Sequence, residues 1–169
     1  MRRHLQSRWL RIHSLPDSKR YADNENEFSE LLRRHNHVAT EILGSSELLL
    51  VAHTWGDIDD FRSVFATLNW ARRSSLVKAH PTVVQNVDDP EERIVIACTQ
   101  LSWTPAAWDD FIRDVANDVV PSVVLYNSRS GEVYAPYDGG ADVFVGTPNR
   151  VAELRTRWQD WMSARADGL

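Results

Sequence analysis

The sequence predicts an α+β fold: a single domain with a sheet of about five strands, mixed but largely antiparallel, and helices packed mainly on one face. Three observations carry this expectation. Three segments place apolar residues at helical spacing behind capping residues. Two apolar runs, 47–54 and 93–103, are short enough to be buried strands. Residues 123–145, VVLYNSRSGEVYAPYDGGADVFV, are three apolar stretches parted by turn residues. With 169 residues and an apolar fraction of 43%, the chain can build one core of its own.

The opening MRRHLQSRWLRIHSLPDSKRY is basic and reads as an N-terminal arm over residues 1–22. A helix is predicted over 23–44. Asp23 or Asn24 caps its first amides, Glu25, Glu27 and Glu30 crowd the positive end of its dipole, and Phe28, Leu31, Leu32, Val38, Ala39 and Ile42 form the apolar face. Gly44 can stop it in the left-handed region. ELLLVAHT (47–54) follows as the first central strand. Residues 56–92 show only a helical turn or two, at Phe61, Val64, Phe65 and Leu68, and are expected to form an irregular excursion.

RIVIACTQLSW (93–103) brings β-branched residues suited to a pleated core surface. Thr104-Pro105 then offers a hydroxyl cap and a proline for the first helical position, ahead of Trp108, Phe111, Ile112 and Val115 at i, i+3, i+4 and i+7. Strands 123–126 and 132–135 flank Asn127–Gly131 as a hairpin, and a third strand, 142–145, follows PYDGG. In that turn the glycines permit positive φ and Asp138 can bond its own backbone. Thr147-Pro148 repeats the capping device before Val151, Leu154, Trp158, Trp161 and Met162, the stripe of a closing helix.

Nineteen basic against twenty-four acidic residues give a net charge of −5. Acidic groups cluster at Asp57, Asp59 and Asp60, at Asp88, Asp89, Glu91 and Glu92, and at Asp109 and Asp110. Such a balance argues against general nucleic-acid binding, although Arg2, Arg3, Arg8 and Arg11 could make a local contact, and it suits a basic protein partner. No apolar run exceeds five residues, against roughly 20 for a membrane-spanning helix, so no membrane segment is expected and cytoplasmic residence is the default. The single cysteine, Cys98, excludes an internal disulfide and, lying in an apolar run, is expected to be buried.

Nucleotide-binding glycine patterns, nucleophile elbows and paired metal-binding histidines are all missing from the sequence, so neither a cofactor nor catalytic residues are expected. Asp138 and Asp142 alone are too few ligands for a calcium loop. An alternative reading makes the protein a small hydrolase or nuclease-like enzyme in which His53, at a strand end, acts as general base with Asp138 or Asp142. Of the seven tryptophans, Trp108, Trp158 and Trp161 fall on helix stripes and read as core. Trp9, Trp55, Trp70 and Trp103 lie near element boundaries or in the irregular region, where a ring can become an interface anchor. The expected partner-binding set is Trp55, Asp57, Asp59, Asp60, Trp70, Tyr134, Tyr137, Asp138 and Asp142.

RIHSLPDSKRY (11–21), LLRRHNHVATEILG (31–44) and VYAPYDGGADVF (133–144) resemble a family of small uncharacterised bacterial proteins. Those proteins are similar in turn to immunity proteins encoded beside contact-dependent or polymorphic toxins. The resemblance implies a binding protein that neutralises a cognate toxin, and the acidic balance points to a basic, nuclease-type toxin domain.

Overall fold

The computed structural model describes residues 5–86, 89 and 91–163. In chain order the elements are β1 (Trp9–His13), α1 (Glu25–Leu43), β2 (Glu47–Trp55), α2 (Ile58–Ala66), α3 (Asn69–Arg73), β3 (Thr82–Gln85), β4 (Arg93–Ser102), α4 (Asp109–Ala116), β5 (Ser122–Asn127), β6 (Val133–Tyr137), β7 (Gly140–Phe144) and α5 (Pro148–Arg157). The strands form one open sheet in the order β1-β7-β6-β5-β2-β4-β3, antiparallel at every neighbouring pair. The α+β class and the one-sided placement of helices agree with the sequence reading. The strand count does not: among the described residues there are seven rather than five, and no parallel pair makes the sheet mixed.

One extra strand comes from the segment read as a basic arm, the other from the one read as an irregular excursion. Within the supposed basic arm, Leu10 and Ile12 alternate with Arg11 and His13. The alternation is that of a half-buried strand, made legible only by its pairing with β7, where Asp142 lies opposite Arg11 and neutralises it. Arg2 and Arg3 lie outside the described residues. The supposed excursion over 56–92 is built from α2, α3, a 3₁₀ turn at Leu76–Lys78 and β3.

Helix α1 starts where expected. Asn24 Oδ1 accepts from the amides of Asn26 and Glu27, and Gly44 ends the helix at φ 60°. Thr147 likewise caps α5 by accepting from Arg150 N–H. Thr104-Pro105 does not cap α4. The chain first makes a turn through Ala106 at φ 63°, whose N–H donates to Asn36 Oδ1 at 2.8 Å, and the helix begins only at Asp109.

All five helices contribute to one apolar cluster on a single face of the sheet. Leu31, Val38 and Ile42 of α1, Phe61 and Phe65 of α2, Trp70 of α3, Phe111 and Ile112 of α4 and Leu154 of α5 meet Leu10, Ile12, Leu48, Leu50, Val95, Leu125 and Val143 of the strands. The opposite face carries a smaller cluster of Trp9, Val133 and Phe144 with Val124 and Tyr126, and then half-buried Leu49, Val51, Ile94 and Ile96. Cys98 sits on this second face of β4 and is exposed, not buried, because its neighbours Ala97 and Thr99 are the ones turned towards the helices.

Candidate functional site

Strands β2 and β6 end, and β4, β5 and β7 begin, at the same edge of the sheet. Residues far apart in sequence therefore share one rim. On the β6–β7 side the chain turns through Asp138-Gly139, the two residues between the paired Tyr137 and Gly140. Neither Gly139 nor Gly140 takes positive φ, contrary to expectation. Gly140 is needed for close approach, since a Cβ there would collide with the Ile12 carbonyl of β1. The nearly buried Asp138 carboxylate accepts from Tyr21 Oη at 2.9 Å and pairs with the Arg20 guanidinium, tying the end of the first segment to the turn.

Next to this turn the sheet splits. Leu125↔Tyr134 and Tyr126↔Val133 are the only β5–β6 pairs, and Asn127 N–H donates to Glu132 C=O just before them. Antiparallel alternation makes Val123 with Pro136 the next hydrogen-bonded pair, and proline has no N–H to give. The strands diverge there around a cavity of about 180 Å³ lined by Arg20, Asp118, Ser122, Tyr137 and Asp138, among others. Arg11 forms a two-bond pair with Asp142, at 2.8 and 3.1 Å, and its guanidinium stacks 4.8 Å over the Tyr137 ring.

On the β2–β4 side, Trp55 ends β2 and is 50% exposed, with His53 edge-on at 6.1 Å. Gly56 at φ 105° turns the chain into α2, where Asp57 caps by accepting from the amides of Asp59 and Asp60, at 2.8 and 3.0 Å, while Asp60 accepts from Asp57 N–H at 2.9 Å. Those amides, Asp60's first, hold the Asp57 carboxyl below the usual carboxylate range. The result is an open cleft of about 380 Å³ lined by Trp55, Asp57, Asp60, Glu91, Glu92 and Arg93. An indole face beside several carboxylates suits a cationic side chain, which gains both cation–π and charge attraction there.

Six of the nine residues expected to bind a partner therefore gather at this rim: Trp55, Asp57, Asp59, Asp60, Tyr137 and Asp138. Asp142 lies two residues into β7, bound to Arg11. Two expectations are overturned. Trp70 is fully buried, its Nε1–H donating to Asp114 at 2.9 Å and its ring edge-on to Phe65 and Phe111. Tyr134 is fully buried on the helix side, its hydroxyl 2.6 Å from His35 Nδ1, with Ser14 Oγ 2.8 Å from the other ring nitrogen. Period 2 along β6 sends Tyr134 and Tyr137 to opposite faces, so the two rings cannot share one patch. In the sequence Glu91 and Glu92 read as part of a charge run and Arg93 as a strand start. No local signal shows that they face Trp55.

The acid–base pairing considered for His53 has no geometry behind it. His53 on β2 and Asp142 on β7 are separated by three strand spacings, about 14 Å, and Asp138 lies beyond two, about 10 Å, far more than one water bridge. The Ser14–His35–Tyr134 chain has the residue types of a nucleophile with its base, but all three side chains are buried, so it serves as an internal tie. Among the described residues, no group of three or more His, Cys, Asp or Glu side chains could hold a metal ion, and no helix is long and apolar enough to cross a membrane.

The three sequence segments that carry the family resemblance thus meet in space. Ser14, His35 and Tyr134 form the buried tie, Arg34 donates to the His13 carbonyl, and Arg11 and Arg20 bind Asp142 and Asp138. Residues 1–166 match the model of the family described as Domain of unknown function (DUF3885). The chain belongs to that family. No curated protein and no solved structure matches it.

Proposed function

We propose that this family member is a cytoplasmic protein-binding module of the immunity type, which neutralises a basic, nuclease-type toxin domain by direct binding and without catalysis of its own. The observation that carries the reading is Trp55, half exposed in a cleft ringed by Asp57, Asp60, Glu91 and Glu92. A large, rigid aromatic surface of this kind supplies affinity when a partner covers it, and the carboxylates around it speed encounter with a basic domain. Asp57 and Asp60 also accept from amides at the start of α2 and Asp59 lies 3.8 Å from Arg62, so the carboxylates there least engaged in capping or ion pairs are those of Glu91 and Glu92. The acidic balance of the chain supports the same reading.

The test is to produce the chain together with the toxin domain encoded beside it, and to measure both cell survival and binding by calorimetry. Wild-type chain should protect and bind. Trp55→Ala should weaken binding by about 30-fold, the effect of losing an interface anchor, and Glu91→Lys should slow association. A wild-type chain that neither binds nor protects ends the proposal.

A further inference from the structure

Strand β3 is an edge of the sheet, and its geometry points to how a partner docks. We propose that an extended segment of the partner adds to the sheet as an eighth strand along β3, with a basic residue reaching the Trp55 cleft. The inference rests on the binding function proposed above. Asn86 N–H donates to Glu92 C=O at 3.0 Å, in register with the β3–β4 pairs, so Asn86, Val84 and Thr82 direct their backbone groups towards β4. Val83, between them, turns its N–H and C=O to the open edge.

That edge is short, four residues, but among the described residues it carries none of the other usual protections. All four residues of β3 are exposed, Val83 at 43% and Val84 at 36%, and the strand itself contains no charged residue, proline or bulge. Val84, Ile94 and Trp55 stand opposite one another across three strands, an apolar row that runs from the edge to the acidic cleft. On the helix-bearing side, an apolar pocket of about 210 Å³ between Phe61, Phe65, Leu76 and Val77 reaches Pro81, the residue before β3. An added strand therefore has apolar seats for alternate side chains on both faces and carboxylates at one end. A segment of alternating apolar residues flanked by Lys or Arg fits this arrangement. A second copy of the chain is the poorer occupant, because it brings another net charge of −5 to an acidic edge.

Val83→Pro separates strand addition from other modes of binding. It removes only the outward N–H and leaves the β3–β4 ladder intact, whereas Val83→Thr keeps the donor. The probe is a labelled octapeptide of alternating valine and threonine with an N-terminal Lys-Arg pair, which antiparallel addition brings to the Trp55 cleft at the C-terminal end of β3, compared with the same peptide interrupted by proline. Wild type and Val83→Thr should bind the uninterrupted peptide and show amide shifts at Val83. Val83→Pro should lose at least tenfold in affinity with an unchanged circular dichroism spectrum, and Glu91→Lys should weaken binding and its salt dependence. Peptide binding unchanged by Val83→Pro, absence of peptide binding, or dimerisation of the free chain through β3 would overturn the proposal. If Val83→Pro still protects cells as well as wild type, strand addition fails while the binding function stands. Failure of the wild-type chain to protect removes the function itself.

Discussion

At the residue scale, the central polar group is His35, held between Ser14 and Tyr134 inside an otherwise apolar core. Burial, with Arg34 beside it, lowers its pKa to about 4 from the ordinary 6.5. The unfolded chain therefore takes up a proton first as pH falls. The stabilisation is complete above about pH 6.5 and is lost as pH drops towards 4, a loss of about 2 kcal/mol by pH 5. Urea denaturation at pH 7 and pH 5 should show this loss. His13 and His53, whose pKa values burial also lowers, act in the same direction, so His35→Gln should reduce the difference without abolishing it. A difference unchanged in His35→Gln would assign the effect elsewhere. Spacing alone puts His35 and His37, two residues apart on α1, in different directions. It could not show that one of them is sealed between β1 and β6, because both contacts join residues remote along the chain.

At the element scale, the contact between β1 and β7 depends on Gly140. An added methyl would strike the Ile12 carbonyl, a backbone atom that can move only by displacing the edge strand, and would crowd the Tyr137 hydroxyl. Gly140→Ala should cost towards the upper end of the 1–3 kcal/mol typical of overpacking, whereas Gly146→Ala, which meets nothing within 4 Å, should stay within about 0.5 kcal/mol of wild type. Thermal melts of the two variants compare them directly. Elements with local signals were legible. Asn24 and Gly44 bound α1, Thr147-Pro148 opens α5, and the apolar runs of β2 and β4 mark buried strands. β1 and β3 were not legible, since WLRIH and TVVQ are too short to establish a period until their neighbours pair with them. The Thr104-Pro105 signal misled for the opposite reason: Asn36 captures the Ala106 amide and holds the chain in a turn for four more residues.

At the scale of the whole molecule, one sheet and one main core connect both ends of the described chain, from Leu10 of β1 to Trp158 after α5, and include Leu76 from the segment before β3. Unfolding should therefore be a single event. Urea transitions followed by far-UV circular dichroism and by tryptophan fluorescence should coincide, given that Trp70 and Trp158 are fully buried. An earlier fluorescence transition would mean that α2, α3 and β3 form a separately stable unit. The sequence by itself determined the class of fold, both ends of α1, the start of α5 and the acidic balance of the chain, because these follow from composition, capping chemistry and short-range periodicity. Only the tertiary structure decided which of those residues share a site. Antiparallel register brought Trp55, the Asp57 turn and Glu91–Arg93 to one cleft and carried Tyr137 and Asp138 to the same rim, while it sent Tyr134 and Trp70 inward. The reason is that strand pairing joins residues by position across the sheet, and a shift of one residue reverses the face each side chain occupies.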